Sequence, residues 1–286
     1  MRKSTRIAVG LALAGLLVGL LPATASAGEK ATTLRADLNG AKEVPGPGDT
    51  DGRAKARIVL TRHTVCFVLQ WRGIAGPTAA HIHAGRKGVA GPIAVLLFES
   101  AGPLPSTLGS AAGCVRPAKD LIRAIKQHPA DYYVNIHNAD FPAGAVRGQL
   151  HRGAPDLDHL DANLRARLLG KREVPGPGDP DGSGLALLRA KGTRICFVLS
   201  WRDIASPTAA HIHAGRKGVA GPIVVGFLDG LTGSLPGTFS AVDGCVSGVD
   251  RTLVKAIKAD PHAYYVNIHN ADFPAGAIRG QLRHAA

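Results

Sequence analysis

The segment PTAAHIHAGRKGVAGPI occupies residues 77–93 and returns without a single change at residues 207–223. At its centre lies the sequence His-Ile-His, which places His81 and His83 two positions apart. Because side chains at positions i and i+2 of a β-strand point to the same face, both imidazoles are expected on one side of a sheet. The exact repeat predicts two similar units, each organised around this strand.

A second repeated segment, YYVNIHNADFPAGA, occupies residues 132–145 and 264–277 and adds one histidine to each copy. The candidate ligands are therefore His81, His83 and His137 in the first copy and His211, His213 and His269 in the second. In both segments the histidines alternate with apolar residues that would face the core. The pattern predicts that each trio projects outward, on the solvent side of its sheet.

Short stretches of alternating or apolar residues with turn formers between them predict an all-β fold, either a sandwich or a barrel, in each unit. In the first copy the predicted strands are residues 33–40, 54–60, 64–71, 78–84, 93–98, 132–138 and 145–150. One helix is predicted at residues 118–127, where Leu121, Ile122 and Ile125 form an apolar stripe.

The N-terminus predicts export. Residues 1–27 combine three basic residues, an apolar run and the ending Ala-Ser-Ala, which is the layout of a cleavable signal peptide. After the signal peptide we predict domain 1 at residues 28–152, a polar linker at residues 153–161 and domain 2 at residues 162–286. We expect a secreted, extracytoplasmic protein with no membrane span after signal cleavage; a single-span anchor is the alternative.

The formal net charge of +13 falls to +10 without the predicted signal. Such a charge is compatible with polyanionic partners, for instance acidic cell-envelope polymers, but a well-solvated surface that resists aggregation is the favoured explanation. Basic residues are scattered and aromatic residues are few, which argues against specific nucleic-acid binding.

Four cysteines are divided equally between the two copies. In an oxidising compartment the duplication favours two disulfides, Cys66–Cys114 and Cys196–Cys245. A metal–thiolate role is the alternative, but the chain contains no Cys-x-x-Cys spacing.

Three neutral imidazoles suit copper or zinc better than calcium or magnesium, so each trio is a candidate metal site. Structural histidines satisfied by hydrogen bonds are the alternative. Arg147 and Arg279 are predicted on the same outward face, where they would attract anions. Asp140 and Asp272 would either cap their own turns or act as hydrogen-bond partners of the metal ligands His137 and His269. No nucleophile motif or phosphate-binding loop is present.

Three groups of motifs recur in both copies. They are Glu-Val-Pro at residues 43–45 and 173–175, Ala-His-Ile-His-Ala-Gly, and Tyr-Tyr-Val-Asn-Ile-His followed by Phe-Pro-Ala-Gly and Arg-Gly-Gln-Leu. Taken together, these motifs resemble the CHRD (chordin) domain family. The resemblance covers nearly the whole chain after residue 27, as two tandem domains. It implies extracytoplasmic β-rich domains without an assigned general activity, and extracellular proteins as possible partners.

The order of motifs is also similar to that of copper–zinc superoxide dismutase, a Greek-key β-sandwich. The likeness implies that each of the two tandem domains is an all-β, Greek-key β-sandwich of this kind with one short helix. That enzyme has a His-x-His copper-ligand pair, a later histidine ligand and an arginine near its C-terminal strand. The matching positions here are His81, His83, His137 and Arg147, with their counterparts in the second copy. No histidine follows the pair to bridge copper and zinc, and no zinc cluster is visible in residues 85–113, which casts doubt on catalysis.

We therefore expect a secreted, non-enzymatic binding protein with one copper or zinc site per domain. An adhesive or matrix module without metal, binding acidic envelope polymers or proteins, is the first alternative. A superoxide-dismutase-like copper enzyme is the second.

Overall fold

The first strands form from segments in which apolar and polar residues alternate strictly. In the computed structural model, which describes residues 31–285, Leu34, Ala36 and Leu38 point inward from strand β1 while their neighbours remain accessible. The predicted signal peptide lies outside the described residues.

The two units contain the same elements in the same order. The first comprises β1 (Thr32–Asn39), β2 (Arg53–Leu60), β3 (Val65–Arg72), β4 (Pro77–Ala84), β5 (Ile93–Glu99), β6 (Leu108–Val115), α1 (Lys119–Gln127), β7 (Tyr132–Asn138), β8 (Val146–Gln149) and β9 (His151–Arg152). The second comprises β10 (Leu164–Leu169), β11 (Ser183–Lys191), β12 (Arg194–Arg202), β13 (Pro207–Ala214), β14 (Ile223–Gly226), β15 (Phe239–Ser247), α2 (Arg251–Ala259), β16 (Tyr264–Asn270), β17 (Ile278–Gln281) and β18 (Arg283–His284). Short 3-10 turns lie at Gly40–Lys42, Pro129–Asp131, Gly170–Arg172 and Pro261–Ala263.

All strand pairings are antiparallel, and they arrange each unit in two layers. In the first unit one layer runs β9-β1-β2-β3-β6 and the other β5-β4-β7-β8. The layers meet at a corner where Asn39 of β1 pairs with Arg147 of β8. Because β3 pairs with β6 and β4 with β7, the chain crosses between layers as a Greek key does. The all-β prediction is confirmed.

The core lies between the two layers of each unit. Ile58 and Phe67 enter it from one layer, and Ile82 and Val134 enter it from the other; all four are fully buried. Ile82 and Val134 come from the strands that carry the histidines, so the apolar alternation of β4 and β7 fixes the histidines on the opposite face.

Strand β6 was not predicted from the sequence, and it joins the two units. Leu108–Val115 is rich in glycine and alanine, and Val115 is its single β-branched residue, so it gives little of the signal by which a strand is recognised. Its free edge pairs antiparallel with β15, which continues the sheet from the first unit into the second. Phe239 of β15 packs against Phe98 and Phe67 of the first unit, with ring centroids 5.0 and 6.2 Å apart.

Both disulfides predicted from the duplication are present, as Cys66–Cys114 and Cys196–Cys245. In each pair the cysteines are direct cross-strand neighbours, on β3 and β6 or on β12 and β15. Each closes a loop of nearly fifty residues, which stabilises the fold by about 4 kcal/mol through the entropy of the unfolded chain.

The segment predicted as a linker packs against the sheet of the first unit. Gln70 donates to the carbonyl of Asp158 and accepts from its amide, at 3.0 and 2.9 Å. Leu157 is buried beside the first disulfide. None of the helices in residues 31–285 has the length and apolar character needed to cross a bilayer.

Candidate metal centre

Strands β4 and β7 carry the three histidines of the first unit side by side. His81 lies opposite Asn135, His83 opposite Tyr133, and His137 opposite Ala79. The same register is repeated between β13 and β16. The pairing therefore brings distant parts of the chain to one place on the face that is turned away from the core.

The imidazoles converge in both copies. One nitrogen atom from each of His81, His83 and His137 lies within 4.8 Å of the other two, and the same holds in the second unit. Nδ1 of His81 is 3.0 Å from Nε2 of His137, and the equivalent distance in the second unit is 3.2 Å. Within residues 31–285, these two trios are the only groups of three or more His, Cys, Asp or Glu side chains with this spacing. The predicted convergence is present.

Backbone carbonyls fix the orientation of two rings. Nδ1 of His83 donates to the carbonyl of Gly91 at 2.8 Å, and Nδ1 of His137 donates to that of Pro142 at 3.0 Å. In the neutral ring the proton on Nδ1 leaves a lone pair on Nε2. Histidine ligands of metals typically make such a second hydrogen bond through their other nitrogen.

The second unit repeats this arrangement. Nδ1 of His213 is 2.8 Å from the carbonyl of Gly221, and Nδ1 of His269 is 3.0 Å from that of Pro274. Nε2 of His83 and Nε2 of His213 are buried and have no hydrogen-bond partner in the described part of the chain. A buried nitrogen without a partner is costly, and a metal ion in the cluster would satisfy it. The donor set thus fits copper or zinc.

The environment keeps the imidazoles neutral. Burial lowers the pKa of His81 to about 4, and the neighbouring His137 and His83 lower it further in the same direction. The pKa of His211 is also lowered to about 4, for the same reasons. Burial lowers the pKa of His83 and of His137 as well. Neutral imidazole is the form that binds metal, so few protons compete at neutral pH.

The prediction of a solvent-exposed face needs correction. The histidines do point away from the core, but residues 85–92 fold over them. His83 is only 9% exposed and His213 only 8%, whereas His81 and His137 remain half-buried. A sequence pattern shows which face a side chain occupies but not whether a loop covers that face.

Arg147 and Arg279 were likewise expected on an open surface and are both only 2% exposed. The Arg147 guanidinium lies 3.4 Å from the ring centroid of Tyr133 and donates through Nη2 to the carbonyls of Arg86 and Val89, at 3.0 and 2.8 Å. Arg279 makes the equivalent contacts in the second unit. These arginines therefore hold the covering loop.

Asp140 and Asp272 are exposed. The carbonyls of Pro142 and Pro274, rather than a carboxylate, accept from Nδ1 of His137 and His269. A supporting role for the two aspartates stays a prediction.

Sequence reasoning did not identify Asn135 and Glu43 as parts of the site. Asn135 is 2% exposed, and its Oδ1 lies 3.0 Å from Nε2 of His137. Glu43 is 7% exposed and lies close enough to Asn135 for the amide to lower the pKa of its carboxyl group. Burial raises the pKa of Glu43 to about 7, although Arg147, its backbone and Asn135 act in the opposite direction. Alternation along β7 could have placed Asn135 with His137, but nothing local in the sequence links residue 43 to residue 135.

Comparison with known proteins places both units in one family. The family model for the CHRD domain matches residues 34–150 and again residues 164–282, which together cover most of the chain. No curated protein sequence matched the chain.

Proposed function

Since this chain belongs to the CHRD domain family, as two tandem copies, we propose that it is an exported, non-enzymatic binding protein that holds one copper or zinc ion in each domain. The family supports a binding role and assigns no reaction. The metal is bound by His81, His83 and His137 in the first domain and by His211, His213 and His269 in the second.

The observation that carries this proposal is the same in both domains: three neutral imidazoles converge, and one of them presents a buried Nε2 that has no hydrogen-bond partner among residues 31–285. If the histidines were only structural, hydrogen bonds from neighbouring groups would be expected to satisfy this nitrogen. Carbonyl acceptors behind His83 and His137 already hold the rings in the orientation that a metal requires.

Export is supported by the sequence of residues 1–27 and by the two disulfides. Disulfides persist in oxidising compartments and are rare in the reducing cytosol. The metal would therefore be captured outside the cytosol.

Calorimetric titration of the purified protein with Cu(II) and, separately, with Zn(II) tests the proposal. We expect two ions per chain, one ion after His81→Ala, and none after His81→Ala combined with His211→Ala. His63→Ala is the matched control, because His63 is exposed and has no counterpart in the second copy. Failure of both metals to bind the unaltered protein would refute the metal-binding function.

A superoxide-dismutase-like activity is the competing hypothesis for the same residues. Within residues 31–285 the side chains offer the two three-histidine clusters and no separate zinc cluster. We expect the copper-loaded protein to show no superoxide dismutation above that of free Cu(II). Activity lost with His81→Ala and His211→Ala would reassign the protein as an enzyme.

A second candidate function is binding of acidic envelope polymers. It is favoured by the covering loops, where Lys87 and Lys217 are exposed beside Val89 and Val219, which are 53% and 51% exposed. Salt-sensitive retention on an acidic envelope polymer, weakened by Lys87→Ala with Lys217→Ala, would support it. Retention that is unaffected by these changes would argue against it.

A further inference from the structure

We propose that Asn135 and Asn267 each supply a fourth ligand atom, the side-chain oxygen Oδ1, to the metal ion of their domain, and that Glu43 and Glu173 orient the amide that carries it. This inference rests on the proposed metal binding and specifies its complete set of protein donors as three nitrogens and one oxygen.

The first support is position. Asn135 lies directly across from His81 in the β4–β7 pairing and two residues before His137 on the same face of β7. Its Oδ1 is 3.0 Å from Nε2 of His137. Asn267 is placed identically, with Oδ1 3.0 Å from Nε2 of His269. Each oxygen therefore borders the point on which the three rings converge.

The second support is the hydrogen-bonding capacity of these groups. An amide oxygen can only accept hydrogen bonds. Nδ1 of His83 and Nδ1 of His137 donate to the carbonyls of Gly91 and Pro142. In the neutral ring, which is the form that binds a metal, Nε2 then has no proton to offer. The oxygen thus faces nitrogen lone pairs. Converging lone pairs from nitrogen and oxygen repel one another unless a proton or a metal ion lies between them. Nδ1 of His81 can supply one proton, to Nε2 of His137 at 3.0 Å, whereas a metal ion would serve all of these donors at once.

The third support is the contact that fixes the amide. The amide of Asn135 also acts on Glu43, where it lowers the pKa of the carboxyl group. An ionised carboxylate can only accept hydrogen bonds, so when Glu43 is ionised the Nδ2 group of Asn135 faces Glu43 and its Oδ1 faces the histidines. Turning the amide over would place its oxygen against the carboxylate. The same contact joins Asn267 to Glu173 in the second domain.

Glycine makes room for this carboxylate. A Cβ atom at Gly144 would lie 2.6 Å from the carboxylate oxygens of Glu43, and Gly144 also has a φ of +143°. Gly276 has the same relation to Glu173, at 2.5 Å. In each domain the contacts therefore lead from a glycine to the glutamate carboxylate, from the carboxylate to the asparagine amide, and from the amide to the histidine cluster.

The test uses the full chain with its second site disabled by His211→Ala, so that one site is observed. Cu(II) affinity is measured by competition with a chelator, the metal-free melting temperature is recorded, and the bound copper is examined by electron paramagnetic resonance. The variants are Asn135→Ala and the double change Asn135→Asp with Glu43→Gln. The double change exchanges the two chemical groups, because the new amide donates to the new carboxylate.

We expect Asn135→Ala to weaken Cu(II) binding at least 10-fold, in the range that loss of a supporting metal contact typically causes. The double variant is expected to bind within 3-fold of the parent chain and to shift the copper spectrum, because a carboxylate oxygen replaces an amide oxygen. Asn138→Ala is the control: Asn138 is also buried on β7, but its Oδ1 accepts from the amide of Phe141.

Two results would overturn the proposal. One is an affinity of Asn135→Ala within 2-fold of the parent, which would give Asn135 a packing role only. The other is a copper spectrum in the double variant identical to that of the parent, and this result decides the question if Asn135→Ala does not fold. Failure of the unaltered protein to bind copper would instead remove the underlying function, so the two failures are distinguishable.

Discussion

At the scale of single residues, Asp243 shows how the fold perturbs a side chain far from the histidines. It lies on β15 directly across from Ser110, which belongs to β6 of the other domain. Burial raises the pKa of Asp243 to about 6, and the charge of Asp158 acts in the same direction, while the Ser110 contact opposes them. The environment of Asp243 therefore disfavours the ionised form of its carboxyl group.

This raised pKa predicts a pH effect on stability. An unfolded aspartate has a pKa near 3.9, so between about pH 4 and pH 6 the folded protein binds the extra proton. Stability from this group is greatest at low pH and falls as pH rises to about 6. We expect Asp243→Asn to stabilise the protein by about 2 kcal/mol at pH 7 and much less at pH 4.

Urea denaturation at both pH values measures this effect. Asp161→Asn serves as the control, because the Asp161 side chain is 87% exposed. Equal effects of Asp243→Asn at pH 4 and pH 7 would show that the carboxyl group is not perturbed.

Residue-scale prediction from the sequence was accurate for the face of each strand and poor for what covers that face. The alternation of β4 and β7 places His81, His83 and His137 together, because the period of two is a local property of a strand. The burial of Arg147 and its contact with Tyr133 depend on a loop that no local pattern describes.

At the scale of elements, residues 85–92 form the loop that covers the site. Arg147 and Gln149 of β8 hold it, since Nε2 of Gln149 donates to the carbonyl of Gly85 at 2.7 Å. The carbonyl of Gly91 in turn accepts from His83. Loop conformation and histidine orientation are thus coupled.

Two glycines of this loop allow a matched test. A Cβ at Gly91 would overlap the carbonyl oxygen of Ala84, whereas Gly88 has a φ of +81° and open space around its Cα. We expect Gly91→Ala to destabilise the protein by about 3 kcal/mol through overpacking. Gly88→Ala should cost about 1 kcal/mol through backbone strain alone.

Thermal melts and Cu(II) titration of both variants measure these effects. Gly91→Ala is also expected to weaken metal binding, because it displaces the acceptor of His83, and Gly88→Ala to leave binding unchanged. Equal losses of affinity in the two variants would show that the loop does not orient the ring.

Most elements could be predicted from the sequence, including the helix at residues 118–127, observed as α1 (Lys119–Gln127). Strand β6 could not, because its small residues give no strand signal. Those small residues are required there: a Cβ at Gly113 would overlap the carbonyl oxygen of Thr238 in the other domain. Strands β6 and β15 approach each other so closely that larger side chains do not fit, and these are the residue types by which a strand is recognised from sequence.

At the scale of the whole molecule, the two domains share one sheet and part of one core. Besides the β6–β15 pairing, Thr107 donates through its hydroxyl to the carbonyl of Phe227 at 2.7 Å. Phe239 is 5% exposed, and the rings that it contacts belong to the first domain. Such an interface is expected to make the domains unfold together.

We expect a single calorimetric transition, which Phe239→Ala lowers as a whole. Truncating a buried phenylalanine costs about 3–5 kcal/mol, which corresponds to about 10 °C for a chain of this size. Val219→Ala is the control, because Val219 is 51% exposed and should change the transition little. If the protein instead showed two transitions, and Phe239→Ala lowered only that of the second domain, the two domains would unfold independently.

The contacts across the join come in reciprocal pairs. The amide of Cys114 donates to the carbonyl of Thr238, and the amide of Cys245 donates to that of Thr107. Thr107 and Thr238 are equivalent positions of the repeat, as are the two cysteines, so the halves are related by an approximate twofold axis. A protein with only one such domain would carry both the cysteine amide that donates and the threonine carbonyl that accepts on one edge of its sheet. Gene duplication and fusion would then have converted a symmetrical homodimer into the present two-domain chain while keeping its interface.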